Sequence, residues 1–133
     1  MYELCVKTHF DAAHRLVGYV GKCNREHGHR WDVEVCLRGR KLDSINMLVD
    51  FVEVKSALKK LLDVYLDHWQ LNEKLREPNP TAEYLAKWLF VSLDKLHWPK
   101  SVKLVWTCVW ESPDCCVKYS PTMESTGERD DDD

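Results

Sequence analysis

The sequence predicts an α+β fold: a four-stranded antiparallel sheet with two helices on one face, in the order β-β-α-α-β-β. Three observations carry this. Residues 27–38 alternate in polarity with a period of two, the pattern of a half-buried strand. Residues 51–65 repeat apolar side chains at helical spacing. The strand-like runs come in two pairs, one before and one after the helical stretch, which suits an antiparallel sheet covered on one side.

Each element has its own signal. Residues 2–14 alternate loosely and hold no proline or glycine, so they read as a strand. Residues 15–26 contain two glycines and read as a loop. In the next strand His27, His29, Trp31, Val33, Val35 and Leu37 share one face, and Arg30, Asp32, Glu34, Cys36 and Arg38 share the other. A turn region follows from Gly39 to Asn46. Asp50 and Glu53 resemble a capping box, and Phe51, Val54, Leu58, Leu61 and Tyr65 form the apolar stripe of the first helix. Residues 66–80 read as a long connection. A second helix starts near Asn79-Pro80-Thr81 and runs to about Leu96, with Leu85, Trp88, Leu89, Leu93 and Leu96 inward. Residues 101–111 form a strand with Val102, Leu104, Trp106, Cys108 and Trp110 on one face and Thr107, Val109 and Glu111 on the other. After a turn at Ser112-Pro113-Asp114, residues 115–120 form the last strand. The polar stretch 121–133 ends in four aspartates and is expected to be a disordered acidic tail beyond a single domain over residues 1–120.

Composition excludes several classes. A chain of 133 residues fits one domain. Its net charge of -3 offers no footprint for nucleic acid or an anionic membrane. No segment approaches the ~20 apolar residues of a membrane span, and the first residues hold no apolar run of an export signal. The expectation is a soluble cytoplasmic protein. Six cysteines without a Cys-x-x-Cys argue against both a disulfide framework and a structural thiolate zinc site. Cys5, Cys36 and Cys108 read as packed or half-buried thiols, and Cys115-Cys116 as strand-end residues.

The candidate chemistry lies in two histidine stretches. His27 and His29 are two apart on a strand, so both side chains leave the same face. His14 ends the first strand, and a hairpin through residues 15–26 would bring it beside them. Three neutral imidazoles would leave one position open on a tetrahedral zinc ion, as in catalytic sites; the plainer alternative is a polar loop edge. Cys23 sits between Lys22 and Arg25, where a cationic neighbourhood favours the thiolate. It could be a fourth ligand, a nucleophile, a general base or an incidental surface thiol. Asp67-His68 could pair a carboxylate with an imidazole for proton transfer, or could be a solvated helix end. Glu111 could accept two N–H bonds from a ligand such as an amino-pyrimidinone ring, or could simply be solvated. His9 and His97 read as structural.

Taken in order, Phe10-x-Ala-Ala-His14-Arg-Leu, Cys23-x-x-x-His27-Gly-His29, Asp50-Phe51-x-x-x-Lys55, Leu66-Asp67-His68-x-x-Leu71-Asn72, Asn79-Pro80-Thr81-x-Glu83 and Glu111-Ser112 resemble the 6-pyruvoyltetrahydropterin synthase superfamily over about residues 2–120. The gap of three between Cys23 and His27 is similar to the branch that makes 6-carboxytetrahydropterin for queuosine and other 7-deazaguanines. The biopterin branch typically has two more residues there. Glu26 departs from the apolar or small residue common before the first histidine of the pair. The resemblance implies a tunnelling fold, with protomers in trimeric barrels and usually hexamers, and active sites shared between subunits. It implies a zinc-dependent lyase that converts 7,8-dihydroneopterin triphosphate to 6-carboxy-5,6,7,8-tetrahydropterin, acetaldehyde and triphosphate. Zinc would sit on His14, His27 and His29. Cys23 would move a proton, Asp67 and His68 from a neighbouring subunit would form the complementary acid/base pair, and Glu111 would anchor the pterin. The alternatives are 6-pyruvoyltetrahydropterin synthase activity, or a non-catalytic zinc- or pterin-binding module.

Overall fold

A computed structural model describes residues 1–21 and 24–121 of the chain. Four strands, β1 (Tyr2–His14), β2 (His27–Gly39), β3 (Val102–Ser112) and β4 (Cys115–Tyr119), form one antiparallel sheet in the order β1-β2-β3-β4. The helices α1 (Phe51–Tyr65), α2 (Leu71–Lys74) and α3 (Ala82–Asp94) lie between β2 and β3 in sequence. The α+β class, the four-stranded antiparallel sheet, the order of elements along the chain and the two main helices match the sequence expectation, and α2 is a short addition within the stretch expected to be a plain connection.

The core forms where the apolar face of the sheet meets α1 and α3. Phe10, Trp31, Val33, Val35 and Leu37 from the sheet pack with Val54, Leu58 and Leu62 of α1 and Leu85, Ala86, Leu89 and Leu93 of α3. Asp50 caps α1 by accepting from the Val52 N–H, and Thr81 caps α3 by accepting from the Tyr84 N–H. Proline thus stands just before the cap of α3, not inside its first turn. Two stripe assignments differ from the sequence expectation. On α1 it is Leu62, with Val54 and Leu58, that is buried, whereas Phe51 and Tyr65 are exposed. On α3, Ala86 and Phe90 join the buried face and Leu96 lies exposed beyond the helix end. Small residues at helix–sheet contacts carry little hydropathy signal, so a search for large apolar residues passes over them.

The strand β3 holds the other correction. Cys36 pairs with Trp106, but Leu37 pairs with Leu104, so Val105 is one residue extra. Such a bulge reverses the face of everything beyond it. Val102 and Leu104 are therefore core residues together with Thr107 and Val109, and Trp106, Cys108 and Trp110 occupy the opposite face. The buried Thr107 hydroxyl donates to the Ala86 carbonyl at 2.6 Å, tying β3 to α3. A second bulge lies between Trp110 and Ser112, leaving Glu111 without a partner on β4.

The strands β1 and β4 are the sheet edges. The end of β1 is partly covered: the Ala13 N–H donates to the Trp69 carbonyl, and the His68 N–H donates to the Asp11 carbonyl. Among the described residues no helix is long and apolar enough to cross a membrane. The acidic tail beyond Pro121 lies outside the described residues.

The corrected stripe on α1 is testable. Leu62→Ala empties a fully buried site and is expected to cost about 2–5 kcal/mol of unfolding free energy. Leu61→Ala, at a half-exposed position, should cost clearly less. Urea unfolding of the two variants checks the order.

Candidate metal centre and acid/base pair

The site begins with strand register. His14 pairs with His27, and Ala12 pairs with His29. Directly opposed residues share a face, so the three imidazoles project together at one end of the helix-covered side. Trp31, stacked at 3° and 5.9 Å on Phe10, forms the floor beneath them. The His14 and His27 rings lie 4.6 Å apart, and the His29 ring lies 4.4 Å from Trp31. Alanine at position 12 leaves room opposite His29.

The orientation of each ring is set by a backbone carbonyl. His14 Nδ1 lies 2.9 Å from the Pro80 carbonyl, His27 Nδ1 2.9 Å from that of Arg25, and His29 Nδ1 3.1 Å from that of Arg30. A carbonyl only accepts, so each Nδ1 carries the proton and each neutral ring keeps its free lone pair on Nε2. His14 Nε2 and His29 Nε2 are buried and have no hydrogen-bond partner among the described residues. Buried polar atoms are rarely left unpaired. Here they face one another, which is the donor set a metal ion satisfies.

Glu111 completes the group. Its Oε2 lies 3.6 Å from His14 Nε2 and 3.8 Å from His29 Nε2. One ligand atom from each of His14, His27, His29 and Glu111 lies within 4.8 Å of the others, so the four can hold a metal ion. When the His14 ring is protonated, its hydrogen bond and charge hold the Glu111 carboxyl below the usual carboxylate range, and burial opposes this only in part. The sequence places Glu111 on the correct face of its strand but does not place it with the histidines. The bulge that frees it from β4 has no signal in the sequence.

Asp67 and His68 form a second group, with Asp11. His68 Nδ1 is 2.9 Å from Asp67 Oδ2, while Asp67 Oδ1 accepts from the Asp11 N–H at 2.9 Å. Burial pushes the Asp67 carboxyl up, but the Asp11 N–H and the His68 ring outweigh it, and the net direction is down. His68 has a positive φ of 64°, a conformation that costs roughly 1–3 kcal/mol in a non-glycine residue. Its N–H bond to the Asp11 carbonyl, at 2.6 Å, secures it. Arg30 in turn pairs with Asp11 at 3.1 Å. A shallow cleft of about 430 Å³, lined by Gly28, His29, His68 and Trp69 among others, lies beside this pair. A Cβ on Gly28 would meet only ordinary contacts, so packing within this chain does not demand the glycine; it keeps the cleft wall clear of a side chain. In one chain the pair Asp67-His68 stays apart from the histidine-and-glutamate group. Cys23 and Lys22 lie outside the described residues.

The remaining motif residues support His14. Asn72 accepts from the Arg15 N–H and donates to the carbonyls of Arg15 and Pro78. Asn79 accepts from the Val17 N–H at 2.6 Å. These bonds tie the chain just after His14 to the loop that presents the Pro80 carbonyl. The unusual Glu26 also has a partner, accepting from Gln70 Nε2 at 3.2 Å. Asn72 and Asn79 stand out in the sequence only by their place in the ordered motifs, because both bond to backbone some 57–62 residues away along the chain.

The chain is similar to known proteins over most of its length. Residues 3–122 match the family described as 6-pyruvoyl tetrahydropterin synthase. The chain is 36% identical over 129 residues to a Synechocystis sp. protein named 6-carboxy-5,6,7,8-tetrahydropterin synthase, covering 92% of this chain and 100% of that one. A protein of the same name from Rickettsia felis is 28% identical over 137 residues, covering 89% and 99%. The solved structure of Caenorhabditis elegans 6-pyruvoyl tetrahydropterin synthase superposes with a TM-score of 0.78 at 27% identity, covering 91% of this chain and 96% of that one.

Truncating Asn72 tests the support. Asn72→Ala removes four hydrogen bonds, including one accepted from Gln70 Nε2, and is expected to cost about 1–3 kcal/mol. It should also weaken metal binding, because the loop holding the Pro80 carbonyl loses its tie to the segment after His14. Thermal unfolding and a competitive metal titration read the two effects.

Proposed function

The chain belongs to the 6-pyruvoyl tetrahydropterin synthase family, and on that premise we propose that it is a zinc-dependent 6-carboxytetrahydropterin synthase. In this reading it converts 7,8-dihydroneopterin triphosphate to 6-carboxy-5,6,7,8-tetrahydropterin, acetaldehyde and triphosphate, for queuosine or related 7-deazaguanine synthesis. The observation that carries the reading is the convergence of three imidazole Nε2 atoms, two of them buried and unpartnered, beside Glu111. A set of three neutral histidines with an open position suits catalytic zinc. The relatives from Synechocystis and Rickettsia bear the carboxy-pterin name, and the short gap between Cys23 and His27 points the same way.

His14, His27 and His29 would hold the zinc, which would supply Lewis acidity toward the substrate. Glu111, half-exposed at the edge of the group, receives the amino-pyrimidinone N–H groups of the pterin, for which two carboxylate oxygens suffice. Cys23, as thiolate, takes the proton from the carbon beside those oxygens. Asp67 fixes the tautomer of His68 by accepting from Nδ1, leaving Nε2 to exchange protons with the substrate. Because one chain keeps Asp67-His68 apart from the histidine group, the site is completed across a subunit interface in a trimer or hexamer. The sheet favours such an assembly: β1 is a 13-residue edge strand that, among the described residues, is covered only near its end, and open edges of this length invite pairing.

The Caenorhabditis structure favours a second reading, elimination of triphosphate to 6-pyruvoyltetrahydropterin. Product analysis separates the two. Incubation with dihydroneopterin triphosphate should release acetaldehyde and 6-carboxytetrahydropterin in equal amounts; a pyruvoyl product without acetaldehyde would reject the first reading. His27→Ala should lose zinc and turnover together. Cys23→Ala should keep zinc while turnover falls roughly 10²–10⁴-fold, the range for loss of a proton-transfer group. Full turnover in that variant would remove the thiol from the mechanism.

A further inference from the structure

The sheet has one face under the helices and one that they leave uncovered. The strand pairing sends four cysteines to the uncovered face: Cys5 from β1, Cys36 from β2, Cys108 from β3 and Cys116 from β4. None of them belongs to the groups described above. Of the three thiols expected to be packed or half-buried, Cys36 and Cys108 are buried, but Cys5 is exposed.

Cys5 and Cys36 stand directly opposite each other in register. Opposed residues of an antiparallel pair have Cα atoms about 4.5–5.5 Å apart, and a disulfide spans about 4.4–6.8 Å. Their Cα separation thus falls within the range that a disulfide spans. Cys108 and Cys116 are related diagonally, since Cys116 pairs with Trp110. Burial pushes the Cys36 thiol up to about 12, and the neighbouring Cys5 adds to the rise. Cys36 therefore stays protonated beside a thiol that solvent reaches.

We propose that Cys5 and Cys36 form an oxidation site that closes to a cross-strand disulfide on meeting a low-molecular-weight disulfide. The Cys5 thiolate attacks one sulfur of the small disulfide, whose S–S bond breaks and releases one small thiol. Cys36 then gives up its proton and attacks the Cys5 sulfur of the mixed disulfide as the thiolate; the Cys5–small-thiol S–S bond breaks and the second small thiol leaves with that proton. The protein loses two electrons and two protons, and the small disulfide is reduced to two thiols. The pair lies toward the opposite end of β1 from His14, so the bond leaves the histidine group unaltered. It covalently joins the two strands that carry those histidines.

The experiment exposes the whole protein to oxidised glutathione, alkylates the remaining thiols and maps the peptides by mass. The expected result is one peptide pair joined through Cys5 and Cys36, both withdrawn from alkylation together, with no glutathione retained on either. Cys36→Ala should instead trap glutathione on Cys5, and Cys5→Ser should leave Cys36 open to alkylation at unchanged turnover. Resistance of both thiols, glutathione persisting on Cys5 of the unaltered protein, or a link from Cys5 to Cys116 or to another chain would overturn the proposal.

Discussion

The pairing of His14 with His27 across β1 and β2 is the constraint on which the rest of the site depends. A slip of one residue in that register would turn every side chain of one strand to the opposite face. His14 would leave His27 and His29, and Phe10 would leave Trp31. The hydrophobic core guards against this, since Val6, Phe10, Ala12 and the odd-numbered residues of β2 from Trp31 to Leu37 are buried by the same register. The apolar packing that stabilises the fold and the convergence of the imidazoles are thus one choice of alignment.

Register brings the rings together, but backbone carbonyls aim them. Each imidazole donates from Nδ1 to a carbonyl, so the three Nε2 lone pairs are committed to the centre before any ligand arrives. Such outer bonds fix tautomer and ring orientation at metal sites. The carbonyl that aims His14 belongs to Pro80, far along the chain, and its position depends on Asn72, Asn79 and the capped start of α3. The same economy appears on the other side of β1. Asp11 uses its backbone to hold Asp67-His68 and its side chain to hold Arg30, so β1 positions a member of each chemical group.

Much of this was legible in the sequence because it depends on local periodicity. The alternation along β2 marked the shared face of His27 and His29, and Asp50 marked the start of α1. What escaped had no local signature. The bulge at Val105 reverses a strand face, yet the residues around it are as apolar as a regular strand would be. The meeting of Glu111 with His14 and His29 goes with a second bulge, which leaves Glu111 without a partner on β4. On α1, Leu61 and Leu62 are equivalent by hydropathy, and it is Leu62 that shares the buried stripe with Val54 and Leu58. The cross-strand thiol pair was likewise invisible until the register set Cys5 against Cys36.

Ligation by three imidazole nitrogens is most directly tested by X-ray absorption at the zinc edge of the metal-loaded protein. Three nitrogen scatterers at about 2.0–2.1 Å with the remaining position filled by oxygen, and no sulfur, are predicted. A sulfur shell near 2.3 Å would make a cysteine, Cys23 foremost, a ligand. It would contradict the assignment of the metal to the histidine group alone.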